Sequence, residues 1–243
     1  MMRRYYYDLH THSCLSPCGD EDNTPNNLAG MASLSELNIV ALTDHNTCKN
    51  CPAFFDAAEK YGIIPVAGME LTTSEDIHTV CLFETLADAL KFDAFIDTQR
   101  VKIKNRPEFF GEQLILNGED ELIGREEFLL SNATLISIDD VKSIVSSYGG
   151  ICYPAHIDRS SNGIIAVLGT IPPDTDFTLF GLHDGEKVGY YSKRYGIPAE
   201  RFIISSDAHH LTDMRDKEFY FDLDTADDSP DEVRRKLFEL LRR

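Results

Sequence analysis

Short apolar runs alternate with amphipathic stretches along most of this chain, and this alternation predicts a mixed α/β fold. Strands are predicted over residues 4–10, 39–43, 63–68, 77–83, 151–155, 177–182, 201–206 and 219–223. Helices are predicted from residue 25 onward and over residues 52–61, 86–104, 138–148 and 230–241. Pro25 and Gly62 are typical of a helix start and a helix end, respectively. Apart from the strand at 177–182, residues 160–200 give no clear pattern.

One region interrupts the alternation. Residues 113–117 and 121–124 flank Gly118-Glu119-Asp120, which predicts a β-hairpin. We interpret residues 95–137 as an insertion or flap within one domain that spans residues 1–243, because a single α/β barrel commonly reaches this length.

Composition narrows the function classes. Acidic residues outnumber Lys and Arg by 41 to 23, which gives a formal charge of −18. Such a surface repels polyanions, so we expect neither duplex nucleic acid nor a membrane as a partner, whereas a small anionic substrate is compatible with bound cations. The chain shows no signal-peptide core and no transmembrane run, and its six cysteines do not indicate a disulfide scaffold. A cytoplasmic location is therefore expected, and the oligomeric state stays open.

Imidazoles and carboxylates recur where the predicted strands end. His10 and His12 are two residues apart in an extended strand, so their side chains project to the same side. The other strand-end residues are His45, Glu70, His156, Asp207 and His209. In a parallel barrel the carboxyl ends of the strands meet at one face, which carries the active site. This mixture of ligands suits zinc, manganese or iron, and it is large enough for two or three ions.

Several of these residues have simpler interpretations. Asp44 and Asp207 are also typical helix N-caps after strands. His78, inside a predicted strand, is alternatively a hydrogen-bonded core histidine, and Glu70 a solvated surface residue. The recurrence of such residues at strand ends favours the metal centre over these separate explanations.

The chain resembles the PHP family, named for its polymerase and histidinol phosphatase members. The matching motifs are Asp8-Leu9-His10-Thr11-His12-Ser13, Thr43-Asp44-His45, Gly68-Met69-Glu70, His78, Pro154-Ala155-His156 and Ser206-Asp207-Ala208-His209. The resemblance implies a distorted seven-stranded (β/α) barrel that binds up to three divalent ions.

The resemblance also implies three ligand sets. The first ion is held by His10, His12, Glu70 and Asp207. Glu70 bridges to a second ion, held also by His78 and His156. His45 and His209 hold the third ion together with a residue of the loop after His12. Family members usually have His or Asp there, whereas this chain has Cys18 at that spacing and Asp20 two residues later. A thiolate ligand would favour zinc or iron over manganese.

The mechanism expected for such a centre is in-line attack of a metal-bridging hydroxide on a phosphate ester. Asp44 is a candidate orienter of a ligand histidine or a proton carrier. Arg159 is a candidate phosphate clamp, with a solvated arginine as the alternative. Lys193 and Arg194 are weaker candidates for the same role, and His183 and His210 receive none.

The remaining cysteines offer a separate hypothesis. Cys14, Cys18, Cys48 and Cys51 lie in the loops after the first two strands, and Cys48 and Cys51 have the spacing of a zinc or iron–sulfur half-site. Unlinked loop thiols are the favoured alternative, because one such pair is a weak signal.

The function expected overall is metal-dependent hydrolysis of a small phosphorylated substrate, such as a phosphomonoester or a nucleotide. The alternatives are a histidinol-phosphate phosphatase and a non-catalytic, metal-binding accessory module.

Overall fold

A computed structural model describes all of residues 1–243. The ten strands are β1 (Met2–Thr11), β2 (Ile39–Leu42), β3 (Ile64–Thr72), β4 (His78–Phe83), β5 (Leu114–Leu116), β6 (Leu122–Arg125), β7 (Ile151–Pro154), β8 (Phe180–Leu182), β9 (Phe202–Ile204) and β10 (Tyr220–Asp224). The eight α-helices are α1 (Pro25–Leu34), α2 (Cys51–Tyr61), α3 (Leu86–Gln99), α4 (Pro107–Phe110), α5 (Ile138–Ser147), α6 (Ile164–Leu168), α7 (Val188–Tyr195) and α8 (Pro230–Leu241).

The main sheet has six strands in the order β10-β1-β2-β3-β4-β7, and β8 and β9 form a separate parallel pair. Isolated contacts join the two: Thr11 forms a parallel bridge with Ala208 after β9, and the Ile157 amide after β7 donates to the Gly181 carbonyl of β8. The strands therefore curl around a common interior.

The predicted mixed α/β fold is confirmed, but its hydrogen bonding differs from one continuous (β/α)7 barrel. β1, β2 and β3 are parallel, whereas β4 is antiparallel to both β3 and β7, and β10 is antiparallel to β1. The cause is local: only five residues separate β3 from β4, too few for the helical crossover that parallel strands require.

The alternation of side chains along each strand separates two apolar layers. In β2, Ile39 and Ala41 face the interior of the curled sheet, while Val40 and Leu42 pack against the outer helices. On the interior side, α8 contributes Leu237 and Phe238 to the same cluster as the strand residues. Helices on one side and α8 on the other leave the carboxyl ends of β1, β2 and β3 free to carry polar groups.

The predicted hairpin is present, with β5 antiparallel to β6. The helix predicted over residues 86–104 ends at Gln99, because the chain then turns extended and Arg100 bridges Thr134. The hairpin region packs onto the loops that follow β1 and β2. The Leu114 amide donates to the Cys14 carbonyl, and Asn46 Nδ2 donates to the Leu130 carbonyl. None of the helices is both long and apolar enough to span a membrane.

Candidate metal centre

All nine residues predicted as metal ligands lie at one end of the curled sheet. β1, β2, β7 and β9 present theirs at or just beyond their carboxyl ends. β4 runs in the opposite direction, so its first residue, His78, reaches the same end. Glu70 lies inside β3, because this strand continues to Thr72, four residues beyond the predicted end. The antiparallel pairing of β4 with β3 thus explains why this histidine lies at the start of its strand and not at the end.

Glu70 is the hub of the centre, and its side chain is 1% exposed. The five imidazoles around its carboxylate and the nitrogen–oxygen distances are His78 at 2.9 Å, His156 at 3.0 Å, His10 at 3.2 Å, His45 at 3.2 Å and His12 at 3.3 Å. Burial opposes ionisation of this carboxyl, but the surrounding imidazoles outweigh it and hold the pKa of Glu70 well below its ordinary value. Glu70 is therefore an anion embedded among nitrogen donors.

Asp207 supplies the second buried carboxylate. Its Oδ1 lies 3.2 Å from Nε2 of His10 and 3.2 Å from Nε2 of His12. Ligand atoms of His10, His12, Glu70 and Asp207 all lie within 4.8 Å of one another. The structure thus brings together the four residues of the first expected ligand set.

Two further groups overlap with the first one. His45, Glu70 and His78 form the second group, next to which His156 contacts the same Glu70 oxygen as His78. His12, His45 and His209 form the third group, in which the rings of His12 and His209 stack with centroids 4.1 Å apart.

The loop after His12 brings Cys18 to the third group. Cys18 Sγ lies 3.2 Å from Nε2 of His45, whereas Asp20 instead pairs with the exposed His210 at 3.2 Å. Desolvation, together with the nearby charge of Glu70, raises the pKa of the Cys18 thiol to about 12. A cation would therefore be needed to hold this sulfur as a thiolate at neutral pH.

The other loop cysteines do not reach the centre. Cys48 and Cys51 are buried and both thiols donate to the Gly68 carbonyl, at 3.2 and 3.6 Å. The buried Cys14 thiol is oriented toward the Leu114 carbonyl. Cys48 and Cys51 thus lie together at the Gly68 carbonyl and Cys14 lies apart at Leu114, while the half-site stays a hypothesis.

Asp44 lies behind the centre and acts on it through serines. Its buried carboxylate accepts hydrogen bonds from the Ser13 amide at 2.7 Å, from Ser13 Oγ at 2.6 Å and from Ser16 Oγ at 2.7 Å. Ser16 Oγ in turn lies 2.9 Å from Nδ1 of His12, so it can accept a hydrogen bond from that nitrogen. These hydrogen bonds from Asp44 through Ser16 fix the His12 ring with Nε2 directed toward Glu70 and Asp207.

Sequence reasoning assigned no role to Ser16 or to Asp8. The buried Asp8 accepts hydrogen bonds from the amides of His10 at 3.3 Å and Ser206 at 3.1 Å, and thereby ties β1 to the loop that carries Asp207. Asp8 stands in the matched motif beside His10, which is the signal that could have identified it.

Two of the ligand candidates and Asn46, next to a third, have positive φ. His156 has φ of 25°, Asp207 has φ of 54°, and Asn46 has φ of 51°, all in the left-handed region that non-glycine residues rarely adopt. Asp207 is held there by its amide, which donates to the His10 carbonyl. Strained backbone at ligand candidates is typical of functional sites.

Arg159 lies at the mouth of the centre. Its Nη1 contacts Asp207 Oδ2 at 2.6 Å and its Nη2 lies 3.4 Å from Nδ1 of His183. A cavity of about 170 Å³ at the mouth is lined by Arg159 together with ligand candidates that include Glu70 and His209. A larger cavity of about 700 Å³ lies near Arg3 and Arg234 at the other end of the sheet, where none of the ligand candidates is found.

The donor set fits divalent transition-metal ions. Nε2 of His10 and Nε2 of His12 lie 3.1 Å apart, close enough for both nitrogens to bind one cation. Nδ1 of His45 is buried beside Glu70 and yet makes no hydrogen bond, and Nδ1 of His156 is likewise buried without a partner. Nitrogen and carboxylate donors in this mixture favour zinc, manganese or iron.

Comparison with known proteins adds to this geometry. The PHP domain family matches residues 8–159. No curated protein sequence matches this chain. Among solved structures, a protein from Bifidobacterium adolescentis, described as a candidate metal-dependent phosphoesterase, is similar with a TM-score of 0.58 and 17% identity over 96% of this chain and 95% of that chain.

Two structures of endonuclease Q have a similar fold. The lesion-specific enzyme from Pyrococcus furiosus gives a TM-score of 0.62 at 16% identity, over 96% of this chain and 55% of that chain. A complex of endonuclease Q with a 27-mer duplex substrate gives 0.60 at 16% identity, over 98% of this chain and 57% of that chain. This chain therefore spans little more than half the length of those proteins, and identities this low concern the fold alone.

The prediction that duplex nucleic acid is excluded is wrong. The endonuclease Q complex, on a similar fold, holds a duplex with an abasic lesion at its active site. The prediction rested on net charge, which sums the whole surface. Binding of a phosphate backbone depends instead on where the cations lie, including ions held by the protein.

Proposed function

This chain belongs to the PHP family, and on that premise we propose that it is a metal-dependent phosphoesterase with its centre around Glu70. The observation that carries the proposal is a buried carboxylate ringed by five imidazoles, with a second buried carboxylate, Asp207, beside it. We further propose that β8 and β9 complete a distorted seven-stranded barrel within a single domain, with residues 95–137 as its insertion.

The proposed ligands fall into three sets. His10, His12, Glu70 and Asp207 hold the first ion; Glu70, His78 and His156 hold the second; His45, His209 and Cys18 hold the third. The proximity of these donors supports the sets, with His45 also placed to serve the second ion. Bound divalent ions would supply Lewis acidity, which activates water at neutral pH and neutralises charge on a phosphoryl group.

The protein's own groups position the reaction. Ser16, anchored by Asp44, fixes the His12 ring, which is the orienting role proposed for Asp44. Arg159 is bound to Asp207 at the mouth, and we propose that its guanidinium turns to a phosphoryl oxygen when substrate enters. The cavity of about 170 Å³ admits a phosphate group and leaves most of a larger leaving group outside.

The test is a Glu70→Gln variant, which keeps the size of the side chain and removes its charge. We expect the folded variant to lose bound metal and its turnover of p-nitrophenyl phosphate or bis(p-nitrophenyl) phosphate. The matched control is Glu59→Gln on the exposed face of α2, which should change neither quantity. Full metal content and full turnover in Glu70→Gln would refute the proposal.

Two other functions use the same site. A histidinol-phosphate phosphatase would show a kcat/KM for histidinol phosphate well above that for mononucleotides in a substrate panel. A non-catalytic, metal-binding module would bind metal and hydrolyse none of these esters. The openness of the site at Arg159, where the side chain is 38% exposed, favours catalysis, because a purely structural metal site is closed.

A further inference from the structure

Basic side chains in this acidic protein are nearly all paired with carboxylates. Of the 23 Lys and Arg side chains, five make no ion pair within 4.0 Å. These five are Lys193, Arg194, Arg201, Arg215 and the terminal Arg243. Four of them lie between residues 193 and 215. Because acids outnumber bases so strongly, this concentration of unpaired cations is a local feature that net charge conceals.

Residues 193–215, which contain four of these unpaired side chains, come after β8 and His183 in the chain. α7 begins six residues after the end of β8, and His183, directly after β8, lies beside Arg159. Arg215 donates from Nη2 to the His183 carbonyl, so two guanidinium groups flank this residue at the mouth of the centre. Within residues 187–201 there are four basic residues and one acidic residue, Glu200. Lys187 is paired with Asp158 and Asp184, whereas Lys193 and Arg194, in the last turn of α7, have no carboxylate partner.

Aromatic side chains accompany these charges. Tyr190 on α7 is 57% exposed, and its ring packs edge-on against Tyr191 with centroids 5.0 Å apart. Arg194 Nη1 donates to the Tyr190 hydroxyl at 2.9 Å, and its guanidinium lies 5.5 Å from the Tyr195 ring centroid. Exposed aromatic rings and guanidinium planes beside free cations are the groups on which single-stranded nucleic acids stack and bind.

The size of the cavity points in the same direction. About 170 Å³ accommodates the reacting phosphate but not a nucleoside, so most of a nucleotide substrate must rest on the surface outside. Arg215 meets Arg159 at His183 beside this mouth, and α7, with Lys193 and Arg194, follows His183 in the chain.

We propose that the α7 surface, comprising Tyr190, Lys193, Arg194 and Arg215, binds single-stranded nucleic acid and directs one of its phosphodiesters to the metal centre. The inference rests on the proposed phosphoesterase function and names its substrate class. Lys193, Arg194 and Arg215 contact backbone phosphates, and Tyr190 stacks with a base. Stacking requires an unpaired base, so a single strand binds more tightly than a duplex of the same sequence.

The test measures binding of fluorescein-labelled oligothymidylate by anisotropy, in EDTA so that no cleavage occurs. We expect the full-length protein to bind it, with affinity falling as salt rises. Lys193→Glu/Arg194→Glu should weaken binding at least tenfold, and its salt slope should be shallower by about 1.4, since each single-strand phosphate contact contributes roughly 0.7. Tyr190→Ala should weaken binding about tenfold.

The matched control is Arg235→Glu/Lys236→Glu on α8, which reverses two adjacent charges and changes the net charge equally. It should bind oligothymidylate like the wild type, apart from a small general loss. Equal weakening by both double variants would overturn the proposal, as would the absence of binding or tighter binding of the duplex.

A second readout separates this inference from the proposed function. With metal present, Lys193→Glu/Arg194→Glu should lower kcat/KM for oligothymidylate at least tenfold more than it lowers kcat/KM for bis(p-nitrophenyl) phosphate. No turnover of any ester by the wild type would refute the phosphoesterase, whereas binding in EDTA still tests the α7 surface. Equal turnover of oligothymidylate by the wild type and by Lys193→Glu/Arg194→Glu would refute the role of the α7 surface and leave the phosphoesterase function standing.

Discussion

The hydroxyl of Ser16 offers a specific test of how this chain builds its metal centre. Ser16 is 1% exposed, and its Oγ donates to Asp44 at 2.7 Å. The same oxygen lies 2.9 Å from Nδ1 of His12 and 3.2 Å from the His45 amide, from both of which it can accept. Ser16→Ala therefore removes one anchor from two ligand candidates at once.

The magnitude follows from the groups left without a partner. The His12 ring N–H and the His45 amide would be buried and unsatisfied, and each such group costs about 1–3 kcal/mol. Because water enters the space only partly, we expect the metal-free variant to lose about 2 kcal/mol of unfolding free energy. Loss of a residue that orients a ligand typically weakens metal binding about 10–100-fold.

Ser13→Ala is the matched control. Ser13 is also buried, and its Oγ donates to the same Asp44 carboxylate at 2.6 Å, but it contacts no imidazole. Urea denaturation in EDTA should show comparable destabilisation of both variants. Metal affinity, measured by competition with a chelator, should fall about 10–100-fold only in Ser16→Ala. Unchanged affinity in Ser16→Ala, or an equal fall in both variants, would refute the role assigned to Ser16.

Two further predictions concern charges outside the ligand sets. Burial opposes ionisation of Glu126, but hydrogen bonds and charges from Arg100 and Lys49 outweigh it and lower its pKa to about 2. Ionised Glu126 therefore stabilises the fold fully above its unfolded pKa of 4.5, and this stabilisation is lost as pH falls through about 2. Glu126→Gln should cost about 3 kcal/mol near pH 7, because the buried Arg100 then keeps only its longer ion pair with Asp97. The difference in urea stability from wild type should shrink below pH 4.5, and a pH-independent difference would contradict this. Arg159→Ala should lower kcat/KM for a phosphate monoester about 10–100-fold, as expected for a lost charge-assisted hydrogen bond, without loss of bound metal, whereas unchanged kcat/KM would leave Arg159 as a surface residue.

Much of the fold and the donor set was accessible from the sequence, because apolar strands followed by imidazoles or carboxylates leave a local pattern. His10 and His12 show this most clearly, since their spacing alone places them on one side of β1. The extension of β3 through Glu70 was missed, because a strand buried along its whole length carries no alternation that marks its end.

Other features depend on distant contacts that no local pattern reports. The roles of Ser16 and Asp8 arise from hydrogen bonds to residues in other loops, and small polar residues after a strand are too common to single out. α7 was not predicted, because its core-facing residues, Val188, Tyr191 and Tyr195, are mostly tyrosines and an eight-residue helix is too short to repeat the pattern. The exclusion of duplex nucleic acid failed because composition reports a total charge and not its distribution.

The most direct test of the metal centre is anomalous diffraction from crystals of the metal-loaded protein, recorded at the absorption edges of zinc, manganese and iron. We predict about two or three peaks, all within coordination distance of the cluster formed by His10, Glu70, His156 and Asp207. No peak at this cluster in a fully loaded crystal, or peaks found only elsewhere on the protein, would contradict the central claim.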